Sequence, residues 1–411
     1  MRILQINTVD TKGGAAKVAY SLKQKLEKKG HTTSMFVARK YSNEESVKII
    51  NDSQALSGRI RKKLAYWLAN DIDVFSSDHI LKTPEFKSAD IVHCHNLHSN
   101  YFNLRTLKKI SALKPVIWTF HDMWPITAHC AHSFDGALKN TGFFACPSLD
   151  IYPPIAWHNE KYLEKIKAVI FRKSNFHIVT PSEWLADKVK QSILKDKPLS
   201  VIYNGIDTSV FRPHNKQECR QFLGLPLEEQ IILIVAKRGQ SNPWKGGNYA
   251  QEVVKAFDGR SRTFFVDLGG DTNQNSPHLK TISYIADRET LTKYYSAADI
   301  LLYPSIADNC PLVVLEAMAC GLPIVSFNTG GIPELVEHKV NGYIAEYKNT
   351  RDLKIGIEYL LNLPPQETKK MRQYSTDKIK SSFTLDLMTD KYIQLYESVL
   401  SKFEAPLSEQ Y

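Results

Sequence analysis

A short β-branched run, a glycine- or proline-marked loop and an amphipathic helix follow one another from the first residues, and the same order begins again near residue 230. Residues 2–7 (RILQIN) read as a strand and Gly13-Gly14 as a turn; Val18, Leu22 and Leu26 then recur at helical spacing until Gly30 caps the helix. Residues 91–94 and 115–120 supply further strands. Residues 177–180 run into Thr180-Pro181-Ser182-Glu183, which reads as a capping-box helix start with Pro181 at the first helical position. The restart copies the opening: a strand at 231–236, a loop ending Trp244-Lys245-Gly246-Gly247, then a helix. Strands at 264–268, 300–303 and 323–327 precede Gly269-Gly270, Pro304 and Gly330-Gly331, and residues 350–405 read as helical. Alternation of this kind makes parallel sheets covered by crossover helices. The fold class expected is therefore α/β, with two Rossmann-like domains at 1–200 and 201–385 and a helix at 386–411 crossing back to the first.

Composition narrows the class. With 411 residues and 43% of them hydrophobic, the chain has enough apolar side chain for a core in each half, which excludes disorder. Six cysteines without a CxxC pair make neither a disulfide framework nor a zinc ribbon, so a reducing compartment is expected. The opening MRILQIN has no signal-peptide pattern, and no apolar run reaches the roughly 18 residues that span a bilayer. A cytoplasmic chain is the expectation. The net charge of +10 favours an anionic partner: nucleic acid, a phosphorylated metabolite or an acidic membrane surface. No RNP, KH, helix-turn-helix or zinc-finger pattern accompanies that charge, which argues against nucleic acid.

Open α/β sheets bind ligands beyond the carboxyl ends of their strands, so a cleft between the two halves is the expected site. In residues 308–321 (DNCPLVVLEAMACG), Pro311 fits the first turn of a helix and Gly321 its C-terminal cap. The backbone amides of Leu312 and Val313 would then be available to phosphate. Glu316 lies more than a turn further on among apolar residues, where a carboxylate can accept two hydrogen bonds from a vicinal diol such as ribose; the alternative is a buried Glu paired with a cation. His121 closes the strand at 115–120, where a neutral imidazole can donate to a hydroxyl or a phosphate. His93 and His95 share one strand face and cluster with Cys94 and His98. They are read, with Asp122, as lining for an acceptor, metal ligation being the alternative. In the first βα turn, Gly13 and Gly14 let a ligand approach the backbone.

Asp308 and Glu316 are separated by seven residues, and PSIADNCPLVVLEAMACGLPIVSFNTGGIPELV resembles the Glu-x7-Glu motif of retaining glycosyltransferases of family 4, which have the GT-B fold. The resemblance extends over most of the chain. Gly13-Gly14 matches the family's glycine turn, Ser182-Glu183 a helix start, Tyr203-Asn204-Gly205-Ile206-Asp207 the interdomain hinge and Lys245-Gly246 a phosphate-contacting Lys-Gly. It implies an acceptor-binding first domain and a nucleotide-sugar-binding second domain. It further implies that Glu316 holds the nucleotide ribose, that His121 and Asp308 position the transferred sugar, and that Gly14, Lys245, Leu312 and Val313 serve the donor. Two departures stand out: Asp308 replaces the usual Glu, and the usual Gly-Arg appears as Ala236-Lys237-Arg238, so that either Lys237 or Arg238 would clamp the diphosphate. The implied reaction moves a sugar from a nucleoside diphosphate to a hydroxyl of a glycan or lipid-linked acceptor with retention, as in bacterial exopolysaccharide and capsule enzymes. No cofactor and no metal are implied beyond the nucleotide-sugar co-substrate. The rival readings are a nucleotide-sugar epimerase and a non-catalytic sugar- or nucleic-acid-binding protein on the same fold.

Two further segments carry expectations. His129-Cys130-Ala131-His132 with Cys146 looks like a thinned version of a cysteine-rich insert of similar enzymes, read as an acceptor loop packed by aromatics, a metal or a disulfide being the alternative. Arg59, Arg61, Lys62 and Lys63 precede Leu64, Tyr66, Trp67 and Leu68, a pattern suited to peripheral contact with an anionic membrane; the alternative is a solvated charge run beside a core helix.

Overall fold

The computed structural model describes residues 1–51, 55–134, 136–236, 243–258, 260, 262–270 and 273–403. The chain divides into two compact units, one formed by residues 1–203 with the stretch from Met388 onward, the other by Asn204–Leu387. In the first unit, strands β1 (Arg2–Val9), β2 (Thr32–Arg39), β3 (Val47–Ile49), β4 (Ile91–Cys94), β5 (Val116–Thr119), β6 (His177–Thr180) and β7 (Leu199–Val201) lie in the order β3-β2-β1-β4-β5-β6-β7, all parallel. The second unit has β8 (Gln230–Val235), β9 (Thr263–Gly270), β10 (Gln274–Asn275), β11 (Leu279–Ser283), β12 (Ile300–Tyr303), β13 (Ile324–Phe327) and β14 (Gly342–Ala345). Their order is β10-β11-β9-β8-β12-β13-β14, parallel apart from the antiparallel edge pair β10 and β11. Both sheets contain the doubly wound Rossmann order, which reverses between β1 and β4 in one and between β8 and β12 in the other.

The local causes are plain. Strands β4, β5, β12 and β13 are buried along their whole length, as strands covered on both faces by helices must be. The first core packs Trp118 edge to face against Phe120, Phe171 and Phe176. The second packs Ile232, Ile234, Leu302, Val325 and Phe327 against Val253, Leu353 and Ile357 from the covering helices. The helix Leu385–Ser401 ends the described chain, and within the first unit its Tyr392 and Tyr396 are buried against the sheet. No helix among the described residues is long and apolar enough to cross a membrane.

Helix starts differ from expectation in two places. Ser182, not Thr180, caps the helix Glu183–Gln191, its hydroxyl accepting from the Leu185 amide, so Pro181 lies ahead of the cap. Pro311 is itself the N-cap of Leu312–Ala319, because its extended backbone (ψ 123°) stops the helix one residue later than its ring alone suggests. Strands β2, β3, β7, β10, β11 and β14 are not among those expected from the sequence; β3, β7 and β10 are only two or three residues long, too short to show a pattern.

Candidate active site

In the second unit, the residues after β8 and after β12 meet at the reversal of strand order. Lys245 Nζ donates to Asp308 Oδ2 at 2.5 Å and to the Tyr303 hydroxyl at 3.1 Å. The same Oδ2 accepts from Tyr303 at 2.6 Å and from the Ser305 hydroxyl at 2.9 Å. Burial opposes the charge on Lys245, but the Asp308 carboxylate and Tyr303 outweigh it and hold the ammonium's pKa above its ordinary value. Lysine is thus a fixed cation that keeps 31% of its side-chain surface exposed. Two close approaches permit this geometry. A Cβ on Gly246 (φ +70°) would stand 1.7 Å from the Pro304 carbonyl oxygen, and one on Gly330 (φ +55°) 1.6 Å from that of Asp308.

The helix Leu312–Ala319 begins four residues after Asp308. The amides of Val314 and Leu315 bond the Pro311 carbonyl, so those of Leu312 and Val313 precede the first intrahelical bond, and both residues are half-buried. Glu316, one turn on, is buried and accepts from the Tyr295 hydroxyl at 2.8 Å. That neighbour is a neutral phenol, and burial, with the Glu316 carboxylate beside it, raises its pKa further. The Asn204 amide donates to the Cys310 carbonyl at 2.9 Å, fixing the loop that leads into this helix. Lys237 and Arg238 lie outside the described residues.

In the first unit, the residues after β4 and β5 gather four histidines. His93 is fully buried, and its two ring nitrogens meet the hydroxyls of Tyr396 at 2.7 Å and Thr119 at 2.8 Å. The expectation that His93 lines an acceptor site is thereby corrected: the helix Leu385–Ser401 covers it. The His95 ring lies tilted against that of His93, centroids 4.1 Å apart, and bonds His121 through Nδ1, at 3.0 Å from Nε2. His98 is buried as well, between Ser99 Oγ at 2.9 Å and Asp122 Oδ2 at 3.0 Å. The half-buried His121 and Asp122 are the members of the set that keep surface. His95, His98, His121 and Asp122, with Asn96, Trp118 and Trp124, line a shallow cavity at the strand ends. Gly13 (φ +106°) caps the helix Gly14–Lys28, and a Cβ on Gly13 or Gly14 would meet nothing within 4 Å, so this turn presents open backbone.

Burial lowers the His93 pKa to about 3 and, with the neighbouring imidazoles, that of His95 well below its usual value. Burial also lowers His121 to about 4, partly offset by Asp122. All three are neutral at pH 7. A group whose folded pKa lies below its unfolded value near 6.5 supports the fold fully above pH 6.5, and that support is lost as pH falls through the folded pKa. The first unit is thus expected to weaken as pH drops from about 6.5 to about 4, by several kcal/mol at most. Urea midpoints measured at pH 7, 5 and 4 check this; a flat profile would sink it.

Behind the cluster lie residues that the sequence did not flag. Lys167, fully buried, donates to the carbonyls of Trp124 at 2.6 Å and Thr127 at 3.0 Å and sits 3.7 Å over the Trp124 ring. Burial lowers its pKa to about 7, against the pull of Asp71. Asp71 in turn accepts from the Trp124 indole at 3.2 Å. The helical spacing of Leu163, Ile170 and Phe171 marks the inward face on which Lys167 stands, the one available signal. Cys130 and Cys146 form a disulfide in this structure, the bridged alternative weighed for this segment. His132 stacks on Trp184 with centroids 5.5 Å apart. Among the described residues no group of three His, Cys, Asp or Glu side chains is arranged to hold a metal ion.

Residues 12–210 match the family described as Glycosyltransferase Family 4, and residues 215–378 the one described as Glycosyl transferases group 1. The chain belongs to this glycosyltransferase family. It is 25% identical over 363 residues to Escherichia coli WcaC, named for glycosyl transfer in colanic acid biosynthesis, covering 84% of this chain and 88% of WcaC. Its fold is that of GT-B structures: Thermosynechococcus elongatus sucrose-phosphate synthase superposes with a TM-score of 0.67 at 17% identity, covering 98% and 100% of the two chains. Anabaena HepE, solved in complex with UDP, superposes with a TM-score of 0.64 at 14% identity, covering 97% and 100%. The glycosyltransferase therefore carries its Lys245–Asp308 pair and its Glu316 helix at the strand-order reversal of the second Rossmann-like unit.

Proposed function

We propose that this glycosyltransferase transfers a sugar, with retention of configuration, from a nucleoside diphosphate sugar to a hydroxyl of a glycan or lipid-linked acceptor in surface polysaccharide synthesis, acting in the cytoplasm. The observation that carries the reading is the convergence in the second unit of a fixed cation, Lys245, with the unpaired amides of a helix start and a buried carboxylate one turn beyond. Each meets a different part of a nucleoside diphosphate. Lys245 and the Leu312 and Val313 amides take the diphosphate, whose charge grows as the sugar departs. Glu316 accepts from the ribose diol. Asp308, by gripping Lys245, fixes the cation where the leaving group forms and stands beside the sugar. In the first unit the neutral His121, steadied by His95, donates to a sugar hydroxyl or to the donor phosphate, and the open turn at Gly13 and Gly14 admits the acceptor or the donor phosphate. UDP in HepE supports a nucleotide of this class. No metal is assigned a step, since Lys245 and the helix amides supply the positive field.

A melting-temperature panel with UDP, GDP, ADP, CMP and their sugar conjugates tests the reading, because a ligand that binds only the native state raises the midpoint. One nucleoside diphosphate is expected to stabilise the wild-type protein and not Glu316→Ala. Stabilisation by none of them would move the non-catalytic sugar- or nucleic-acid-binding alternative forward. The anomeric configuration of the product, read by NMR, decides retention.

A further inference from the structure

The helix Leu56–Trp67 is amphipathic in the wrong direction for a core. Its inward face consists of the small residues Gly58 and Ala65 with Arg61, whose guanidinium bonds Asn51 at 3.1 Å and lies over the Phe75 ring. Its outward face carries Leu56, Ile60, Leu64 and Trp67 at helical spacing, with Leu56 75%, Ile60 58% and Trp67 68% exposed. Beside that ridge run the exposed Arg59, Lys62 and Lys63, and no acidic residue occurs between Ala55 and Asn70. This exposure is built in and does not come from a frayed end. The Tyr66 carbonyl accepts from the Ala156 amide at 3.2 Å, the Trp67 carbonyl from the Trp157 indole at 2.9 Å, and the Ala69 carbonyl from Asn159 at 3.1 Å. The segment that locks the helix end adds Trp157, itself half exposed, to the same surface.

We infer that this face docks the enzyme on an anionic lipid bilayer, with the apolar ridge and Trp157 entering the interface and the cations resting among the headgroups. An apolar row adjoining a basic row is what a bilayer surface accommodates, whereas a free polyanion would use the cations and leave the ridge wet. A second copy is disfavoured by charge, since an isologous contact would set the basic row against itself.

The test is co-sedimentation of the full chain with phosphatidylglycerol–phosphatidylcholine vesicles in equal parts and with phosphatidylcholine alone. Binding is expected to the anionic vesicles and to weaken with salt. Arg59→Gln, Lys62→Gln and Lys63→Gln together should reduce it about fivefold per cation, and Ile60→Gln with Trp67→Gln on the order of tenfold or more. Lys62, Lys63, Ile60 and Trp67 are exposed, so melting temperatures of Lys62→Gln with Lys63→Gln and of Ile60→Gln with Trp67→Gln should stay at the wild-type value. Failure of the wild type to bind anionic vesicles at low salt overturns the proposal. So does binding to a soluble polyanion and to vesicles that Ile60→Gln and Trp67→Gln leave unchanged, and so does a concentration-dependent dimer that Trp67→Gln abolishes.

Discussion

Glu316→Gln is expected to lower kcat/KM by roughly a hundredfold while leaving the fold as stable as the wild type. The carboxylate lies on a helix of otherwise apolar residues, and the Tyr295 hydroxyl donates to it from behind. An amide oxygen can take over the bond from Tyr295, so stability is retained. What the amide cannot supply is a charged acceptor for two diol hydroxyls, and hydrogen bonds to a charged group contribute about 1.5–3 kcal/mol. Glu316→Ala should show the same loss together with a lower melting temperature, because it strips the buried Tyr295 hydroxyl of an acceptor. Calorimetric titration with the cognate nucleotide separates binding from chemistry. Undiminished turnover in Glu316→Gln would remove the residue from the donor site.

The two Rossmann grammars were legible because the central strands are short runs rich in β-branched and apolar residues, several of them meeting a proline as at Thr180-Pro181 and Tyr303-Pro304, and β4, β6 and β12 fall where the pattern set them. The family motif was legible for a related reason: Asp308, Pro311, Glu316 and Gly321 are close in sequence, so one stretch records one loop and one helix. What could not be read was pairing over distance. Lys245 and Asp308 are 63 residues apart, and each suggested a separate role until the structure joined them through Tyr303 and Ser305.

His93 illustrates the opposite error. Two histidines on one strand face look like a ligand-facing pair, yet the helix that buries His93 arrives 303 residues later and brings Tyr396. Nothing local to residues 91–98 distinguishes a histidine facing a cavity from one facing a tyrosine on a covering helix. The distinction rests on exposure: His93, His95 and His98 are buried, and His121, bonded to His95, is the imidazole of the four that keeps part of its surface.

Lys245→Met and Asp308→Asn are expected to lower kcat by about a hundredfold to a thousandfold for the lysine and less for the aspartate, with the double variant no worse than Lys245→Met alone. If the carboxylate works by holding the ammonium against the departing diphosphate, removing the ammonium leaves the carboxylate nothing to hold. The loss at 308 is then already contained in the loss at 245. Stability should separate the variants differently. Lys245→Met leaves the Asp308 carboxylate bonded to the Tyr303 and Ser305 hydroxyls but without its counter-charge, whereas Asp308→Asn leaves a half-buried cation facing a neutral amide. Both should therefore melt below the wild type, and the double variant should recover part of the loss because neither charge is stranded. Kinetic losses that simply add would mean that the pair acts at two separate points on the substrate, with Asp308 on the sugar in its own right; stability losses that add would deny the ion pair itself.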